Sequence, residues 1–548
     1  MRRLLPICFL AAAASIAFAQ SSVREFENRE RADPAPGFLQ PLPAPGDLAA
    51  PLGDGIRIKL NGFRFTGVHL IAGEALAEDL SGYVGRQLSA RDLHSAAQAV
   101  AAAYLRRGMM ARVRIVAVIA AEGVAELAVE ELRVGKVQVE YPANSRIRER
   151  LVERFLTGGL VTGSPLPLAR LESGVEVLNA QPGIAAAVAL DRGAQAEEVD
   201  ITVRLSDRPV LAGRLFADNH GVREIGQDRL GLGVRMDNAL GFAERIAIDV
   251  EETAGSSLLS PLLSLPVGDS GTRASLQATT ARFRARRGGA ALELRGQFDR
   301  WQASLRQTWL RDKALALRAE YSLQRTIYHD NSIFGNLQNR RIDAALLRLD
   351  GVSRNNAGIT RLGLDVERGD ADLSRNAGDL AADAASSRIH GGFWRLRWRL
   401  GHEVAAGKSS FVLGANGQVA DRNLDATQQF ALGGHDGVRA YPTAEALGDG
   451  GWLATIEWRH QFDETVGTRL FVDSGVIRRN AKPWTNQRNR YELSGLGAGM
   501  SWQLPARILI KLDAARQLGG NAGRNNDGTE SDGRNSKWRA WLSMQNDF

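Results

Sequence analysis

From position 208 to Phe548 the chain alternates apolar and polar residues with period two, and no helical stripe runs through that span. Leu315, Leu317, Ala319, Tyr321 and Leu323 alternate with Ala316, Arg318, Glu320 and Ser322. Trp394, Leu396, Trp398 and Leu400 alternate with Arg395, Arg397 and Arg399, and Trp452, Ala454, Ile456 and Trp458 with Leu453, Thr455, Glu457 and Arg459. Leu292, Leu294, Gly296 and Phe298 read the same way against Glu293, Arg295, Gln297 and Asp299. Successive side chains on a strand point to opposite faces, so each segment has one apolar and one polar face. In water that apolar face needs a covering layer, and these segments bring no helices to provide one. A bilayer supplies it: the charged faces then line an aqueous lumen, and closure leaves no unpaired edge in lipid. A soluble sandwich or helical repeat is the competing reading, and Arg395, Arg397 and Arg399 stacked on one face argue against it. At roughly 20 residues per strand and loop, residues 208–548 make a transmembrane β-barrel of about 16 antiparallel strands.

Ahead of the barrel the texture differs. Residues 1–19 read as a secretory signal, with Arg2 and Arg3, an apolar stretch from Leu4 to Ala17, and Ala17-Phe18-Ala19 as the cleavage pattern. Residues 20–55 hold a charged start, with helical potential, and a proline-rich linker that cannot continue a helix. Residues 56–131 and 132–207 repeat one pattern, strand, two helices, two strands, giving two α+β (βααββ) domains in tandem. The first has a strand over 56–66, helices over 73–83 and 90–107, and strands over 112–118 and 124–131. The second runs as strand 133–140, helices 147–156 and 168–179, and strands 184–190 and 199–206. Leu93, Ala96, Ala97, Val100 and Tyr104, and then Leu168, Leu171, Val175 and Leu178, form helical stripes that would pack on the sheets.

Composition excludes several classes of function. The single cysteine, Cys8, leaves with the signal, so neither disulfides nor thiol chemistry are expected. The net charge of +7 is scattered among acids rather than gathered into a basic cluster, which speaks against a nucleic-acid partner. There is no phosphate-binding loop, no Gly-x-Ser-x-Gly, no His-Glu-x-x-His, and the eight histidines lack ligand spacing. We expect no catalytic residue, cofactor or metal, and a protein that is not an enzyme.

One stretch stands apart. Leu432 to Gly451 sets Val438-Arg439-Ala440-Tyr441-Pro442 among six glycines. Downstream lies Phe471-Val472-Asp473-Ser474-Gly475, whose Phe471, Asp473 and Gly475 share one strand face; upstream lies Asp218-Asn219-His220-Gly221. With two βααββ units before a barrel, these motifs resemble the two-partner secretion transporters (TpsB type) of Gram-negative outer membranes, of haemolysin secretion and activation type. That family falls within the outer-membrane assembly superfamily, whose small domains are called POTRA domains. The resemblance implies that Val438, Arg439, Ala440 and Tyr441 form the tip of a long loop folded back into the pore. Phe471, Asp473 and Gly475 would be the wall that receives it, with Arg439 gripping Asp473 through two parallel hydrogen bonds. Asp218, Asn219 and Gly221 match an early-barrel motif, and Phe548, on one face with Met544, Leu542 and Ala540, looks like the signal read by the barrel-assembly machinery. Ala440 stands where the family has glycine, which would strain the backbone if φ there is positive. By the same resemblance the chain would export a large unfolded TpsA-like exoprotein to the cell surface, its POTRA domains in the periplasm capturing the partner's N-terminal secretion domain. The segment 23–31 would enter the lumen as a removable plug. An insertase of the same superfamily, or a passive porin, are the alternatives.

Overall fold

The structure is a computed structural model that describes residues 57–548 apart from 157–159, 196, 288 and 311–314. The expected signal, linker and plug lie outside the described residues.

The first unit consists of β1 (Ile58–Lys59), β2 (Gly62–Thr66), α1 (Gly73–Asp79), β3 (Gln87–Leu88), α2 (Ala90–Arg106), β4 (Ala111–Ile119) and β5 (Val124–Glu131). The strand expected over 56–66 is split at Leu60: β1 pairs with β3, whereas β2 runs parallel to β5. Helix α1 ends at Asp79 and gives way to a 3₁₀ turn over Ser81–Tyr83. Ser89 caps α2 in a reciprocal box with Asp92, its backbone N–H donating to Asp92 Oδ2 at 2.9 Å. The α2 stripe Leu93, Ala96, Ala97, Val100 and Tyr104 is buried. Beneath it, the Glu131 carboxylate accepts from the backbone N–H groups of His69 (2.8 Å) and Leu70 (2.7 Å) and from the Tyr104 hydroxyl (2.8 Å). Burial pushes the Glu131 carboxyl up, but these donors outweigh it and leave it below the usual carboxylate range. Burial and the neighbouring carboxylate raise the Tyr104 phenol.

The second unit repeats the layout with β6 (Arg133–Glu140), α3 (Glu149–Leu156), α4 (Leu168–Asn179), β7 (Ile184–Arg192) and β8 (Glu198–Asp207), in sheet order β6-β8-β7. Its core takes in Ala243, which belongs to a barrel turn. Arg148 stacks on Phe242 at 3.8 Å and donates to the Leu240 carbonyl at 3.0 Å, and Arg273 donates to Gln181 Oε1 at 2.8 Å. The unit is therefore seated on one end of the barrel, here called the near end.

Among the described residues no helix is long and apolar enough to cross a membrane. A closed antiparallel barrel of sixteen strands takes that role. Its strands are β9 (Leu211–Asp218), β10 (Arg229–Asp237), β11 (Arg245–Thr253), β12 (Ser256–Val267), β13 (Thr272–Arg284), β14 (Arg295–Leu310), β15 (Leu315–Ser332), β16 (Gly335–Asn355), β17 (Gly358–Asp372), β18 (Gly391–Ala406) and β19 (Ser409–Ala420). The short pair β20 (Phe430–Ala431) and β21 (Leu447–Gly448) stands outside the ring, which resumes with β22 (Gly450–Gln461), β23 (Val466–Arg478), β24 (Arg490–Leu504), β25 (Ile508–Leu518) and β26 (Trp538–Asp547). Leu317, Tyr321, Leu323, Trp394, Trp452 and Ile456 face outward and are exposed, as alternation requires. The inward charges are paired: Arg399 with Asp365 at 2.8 Å, Arg306 with Glu320 at 2.7 Å, Arg469 with Asp513 at 2.6 Å, and Arg395 with Glu367.

One expected lipid face is inverted. Residues 289–292 form a 3₁₀ turn, β14 begins only at Arg295, and Leu294 and Phe298 are buried. Phe298 joins Phe283, Tyr328, Phe393, Leu373 and Ile389 in an apolar cluster inside the far end, where connecting segments fill the bore. Inward positions there meet protein instead of water, so the rule that sends apolar groups outward no longer applies.

Candidate functional site

The segment 432–446 enters the barrel from the far end through the β20–β21 neck. It is held as a compact knot: Val438 N–H donates to the Leu432 carbonyl (2.7 Å), Gly433 N–H to Glu445 (3.0 Å) and Tyr441 N–H to Val438 (3.1 Å). The glycines make this possible. A Cβ at Gly433 would overlap Glu445 and Pro442, and one at Gly437 would overlap the Leu432 carbonyl.

At the tip, Arg439 Nε donates to Asp473 Oδ2 at 2.9 Å and Nη2 to Asp473 Oδ1 at 2.8 Å, the two-pronged geometry of a guanidinium on a carboxylate. Its backbone N–H reaches the same carboxylate at 3.1 Å, and Thr455 Oγ1 donates to it at 3.0 Å. Asp473 is fully buried. Arg439 Nη1 donates to Glu457 Oε2 at 2.8 Å, and Arg459 Nε to Glu457 Oε1 at 2.7 Å, so two cations meet two anions and the cluster is neutral. The guanidinium carbon lies 3.3 Å from the centre of the Phe471 ring, a cation–π contact. Trp541 of the last strand donates its indole N–H to the Arg439 carbonyl at 2.8 Å.

Around the ion cluster the knot is apolar. Val438, Ala440 and Tyr441 are fully buried with Leu432, Leu453, Phe471 and Tyr491. Gly475 lies under the Leu432 side chain, and Gly495 on β24 leaves room for the methyl group of Ala440. Ala440 is not at positive φ, so alanine adds no strain there; Ala444 (66°) and Ala446 (58°) carry that conformation instead.

The early-barrel residues sit elsewhere. Asp218 is gripped by Arg229, Nε to Oδ1 at 2.7 Å and Nη2 to Oδ2 at 2.9 Å, within the β9–β10 hairpin. Asn219 bridges the first and last strands: its Nδ2 donates to the Ala540 carbonyl (3.1 Å) and its Oδ1 accepts from Leu542 N–H (2.9 Å). Gly221 lies against the Gly226 and Gln227 carbonyls, with no space for a Cβ. At the near end of the same seam Phe548 exchanges two backbone hydrogen bonds with Gly213, at 2.8 and 3.0 Å, and its exposed ring covers that glycine. Motif reading therefore brings Arg439 and Asp473 together and leaves Asp218, Asn219, Gly221 and Phe548 on the seam. It missed Glu457, Trp541 and Gly495. Alternation placed Glu457 on the lumen face, but nothing in sequence says which loop residue meets it.

A sixteen-stranded barrel holding an inward loop on a buried Arg–Asp pair, with two small α+β units ahead of it and the second seated on its near end, is an outer-membrane transporter of protein. The chain belongs to the haemolysin secretion/activation protein ShlB/FhaC/HecB family, whose model matches residues 197–502. It is a two-partner secretion transporter, and its barrel fits the outer membrane of a Gram-negative cell. It is 24% identical over 489 residues to the heme/hemopexin transporter protein HuxB of Haemophilus influenzae (strain 86-028NP), covering 87% of this chain and 84% of that one. In structure it is similar to CdiB from Escherichia coli (TM-score 0.71, 16% identity, 98% of each chain). CdiB from Acinetobacter baumannii matches at TM-score 0.67 and 14% identity over 98% of this chain and 99% of that one.

Proposed function

We propose that the two βααββ units are periplasmic POTRA domains. They capture the N-terminal secretion domain of one large, unfolded, TpsA-like exoprotein and deliver it to the lumen, which conducts it to the cell surface. The observation that carries this is the inward knot, fastened by Arg439 to Asp473 and Glu457, in a barrel whose near end seats the second unit. The clasp works as a latch: it holds the loop in one conformation against the β22–β23 wall and so shapes the path of the cargo. A chain in transit can add to a sheet edge, and β7, an edge strand of the second unit, is open to such pairing. Folding of the cargo outside supplies the driving force, with no chemistry performed on it and no cofactor. Phe548 serves as the recognition element for the barrel-assembly machinery, and 23–31 as a removable plug.

The test is co-expression with a candidate large exoprotein carrying an N-terminal secretion domain, scoring its arrival at the cell surface. Removal of 57–207 should abolish capture of the secretion domain in pull-down while the barrel still inserts; undiminished capture would refute the assignment.

A further inference from the structure

Outward-facing arginines crowd one place on the far rim. On β13 and β14, Ala281, Phe283 and Phe298 point inward and are buried, so Arg282, Arg284 and Arg295 point away from the lumen, and all three are exposed. Arg284 stands directly opposite Arg295 in the strand register. Like charges facing each other across two strands destabilise the pair unless something sits between them. Among the described residues none of the three is in an ion pair, nor are Arg286 and Arg287 in the connection that follows. Two other outward arginines of the far half behave differently: Arg325 meets Asp343 at 2.6 Å and Arg341 meets Asp372 at 3.0 Å. Asp299, on the same outer face of β14, is engaged by Thr280 (2.7 Å) and Gln297 (2.9 Å).

Their height defines what they meet. Val250 and Leu259, exposed on the outer wall, lie in the register row of Thr280 and Asp299, and Arg282 lies one row beyond. Two residues along a strand tilted by about 40° rise about 5 Å, so Arg282 lies about 5 Å, and the Arg284–Arg295 pair about 10 Å, beyond Thr280 and Asp299 of the same two strands. The headgroup layer is about 5–8 Å deep, within reach of an arginine side chain from either row. A second opposed pair, Arg478 and Arg490 on β23 and β24, stands one row beyond the outward Val476, eight strands round the barrel.

We propose that Arg282, Arg284 and Arg295 bind the phosphate groups of outer-leaflet glycolipid, one phosphomonoester lying between the opposed guanidinium forks. The inference rests on the reading that the far end faces the cell exterior. A bound anion neutralises the arginine pair and moors this side of the rim at the membrane surface.

The test uses the full chain in zwitterionic detergent, titrated with bisphosphoryl lipid A, with bound lipid counted by native mass spectrometry. Replacing all three residues (Arg282→Gln, Arg284→Gln, Arg295→Gln) should weaken binding at least about tenfold, and Arg354→Gln at a near-end turn should leave it unchanged. Lipid A stripped of phosphate should not distinguish the wild type from the triple variant. Heat-modifiability confirms the fold; if the triple variant fails to fold, Arg284→Gln alone should weaken binding about threefold or more. Equal affinity of wild type and variant, tight binding of the phosphate-free lipid, or displacement by millimolar inorganic phosphate would each overturn the proposal. Protease cleavage of the 285–294 connection on whole cells is scored separately, so a misplaced barrel end is distinguished from an absent site.

Discussion

The front units and the barrel obey one alternation rule against opposite solvents. In the first unit Leu127 and Val129 of β5 are buried under α2, and Glu126 and Glu130 on either side of them meet arginines toward water. In the barrel Ile456 and Val472 are exposed, and Glu457 and Asp473 beside them are buried. The difference shows that burial by itself says little about polarity here: what the outer surface touches decides which residues go inside. Water outside makes a dry core, whereas lipid outside turns the interior into a store of paired charges, which an inserted loop can use as an anchor.

Four experiments probe that contrast. Arg439→Ala leaves Asp473 buried without its cation, and loss of one partner of such a pair costs about 3–5 kcal/mol. Export of the partner should cease while the barrel remains heat-modifiable on gels, and normal export would remove the role assigned to the clasp. Leu127→Ala empties part of a dry core at about 3 kcal/mol and should open only the front unit, read by proteolysis of 57–207 against an intact barrel. Ile456→Arg places a charge on the lipid face and should cost about 2–4 kcal/mol of barrel stability in vesicles, by denaturant titration. An unaffected barrel would mean that Ile456 faces water.

The smallest effect is at Glu131. Its carboxyl is held below the ordinary value of 4.5, so the stability it lends is complete above that pH and is lost as the pH falls through its lower folded value. Protease resistance of the first unit should therefore decline below about pH 4.5, and Glu131→Gln, costing about 1.5 kcal/mol, should flatten the decline.

Much of the fold was legible because its signals are local. The stripe from Leu93 to Tyr104 and that from Leu168 to Leu178 could only be helix faces, and Trp394 to Leu400 could only be a strand with two unlike faces. Errors arose where distant segments changed the surroundings. Phe298 alternates as a lipid-facing residue should, yet it is buried because connections such as 373–390 fill the bore above it. In the clasp, Arg439 and Asp473 were found by resemblance to a family motif; Glu457 and Trp541 were not, since they come from other strands and carry no local mark.

Alternation, helical stripes and glycine spacing are properties of neighbouring residues, so local pattern alone specified the barrel, its approximate size, the two units before it and a loop whose apolar and aromatic core marks it as more than a spacer. Which residues meet was decided only when the sheet closed. Closure brings Asn219 to Leu542 and Phe548 to Gly213 across more than three hundred residues, and it sets Trp541 and Glu457 around the loop tip. Strand register and loop insertion are settled by packing over the whole ring, because a pair of charges gains its strength from a dry, shared interior that no short segment can make alone.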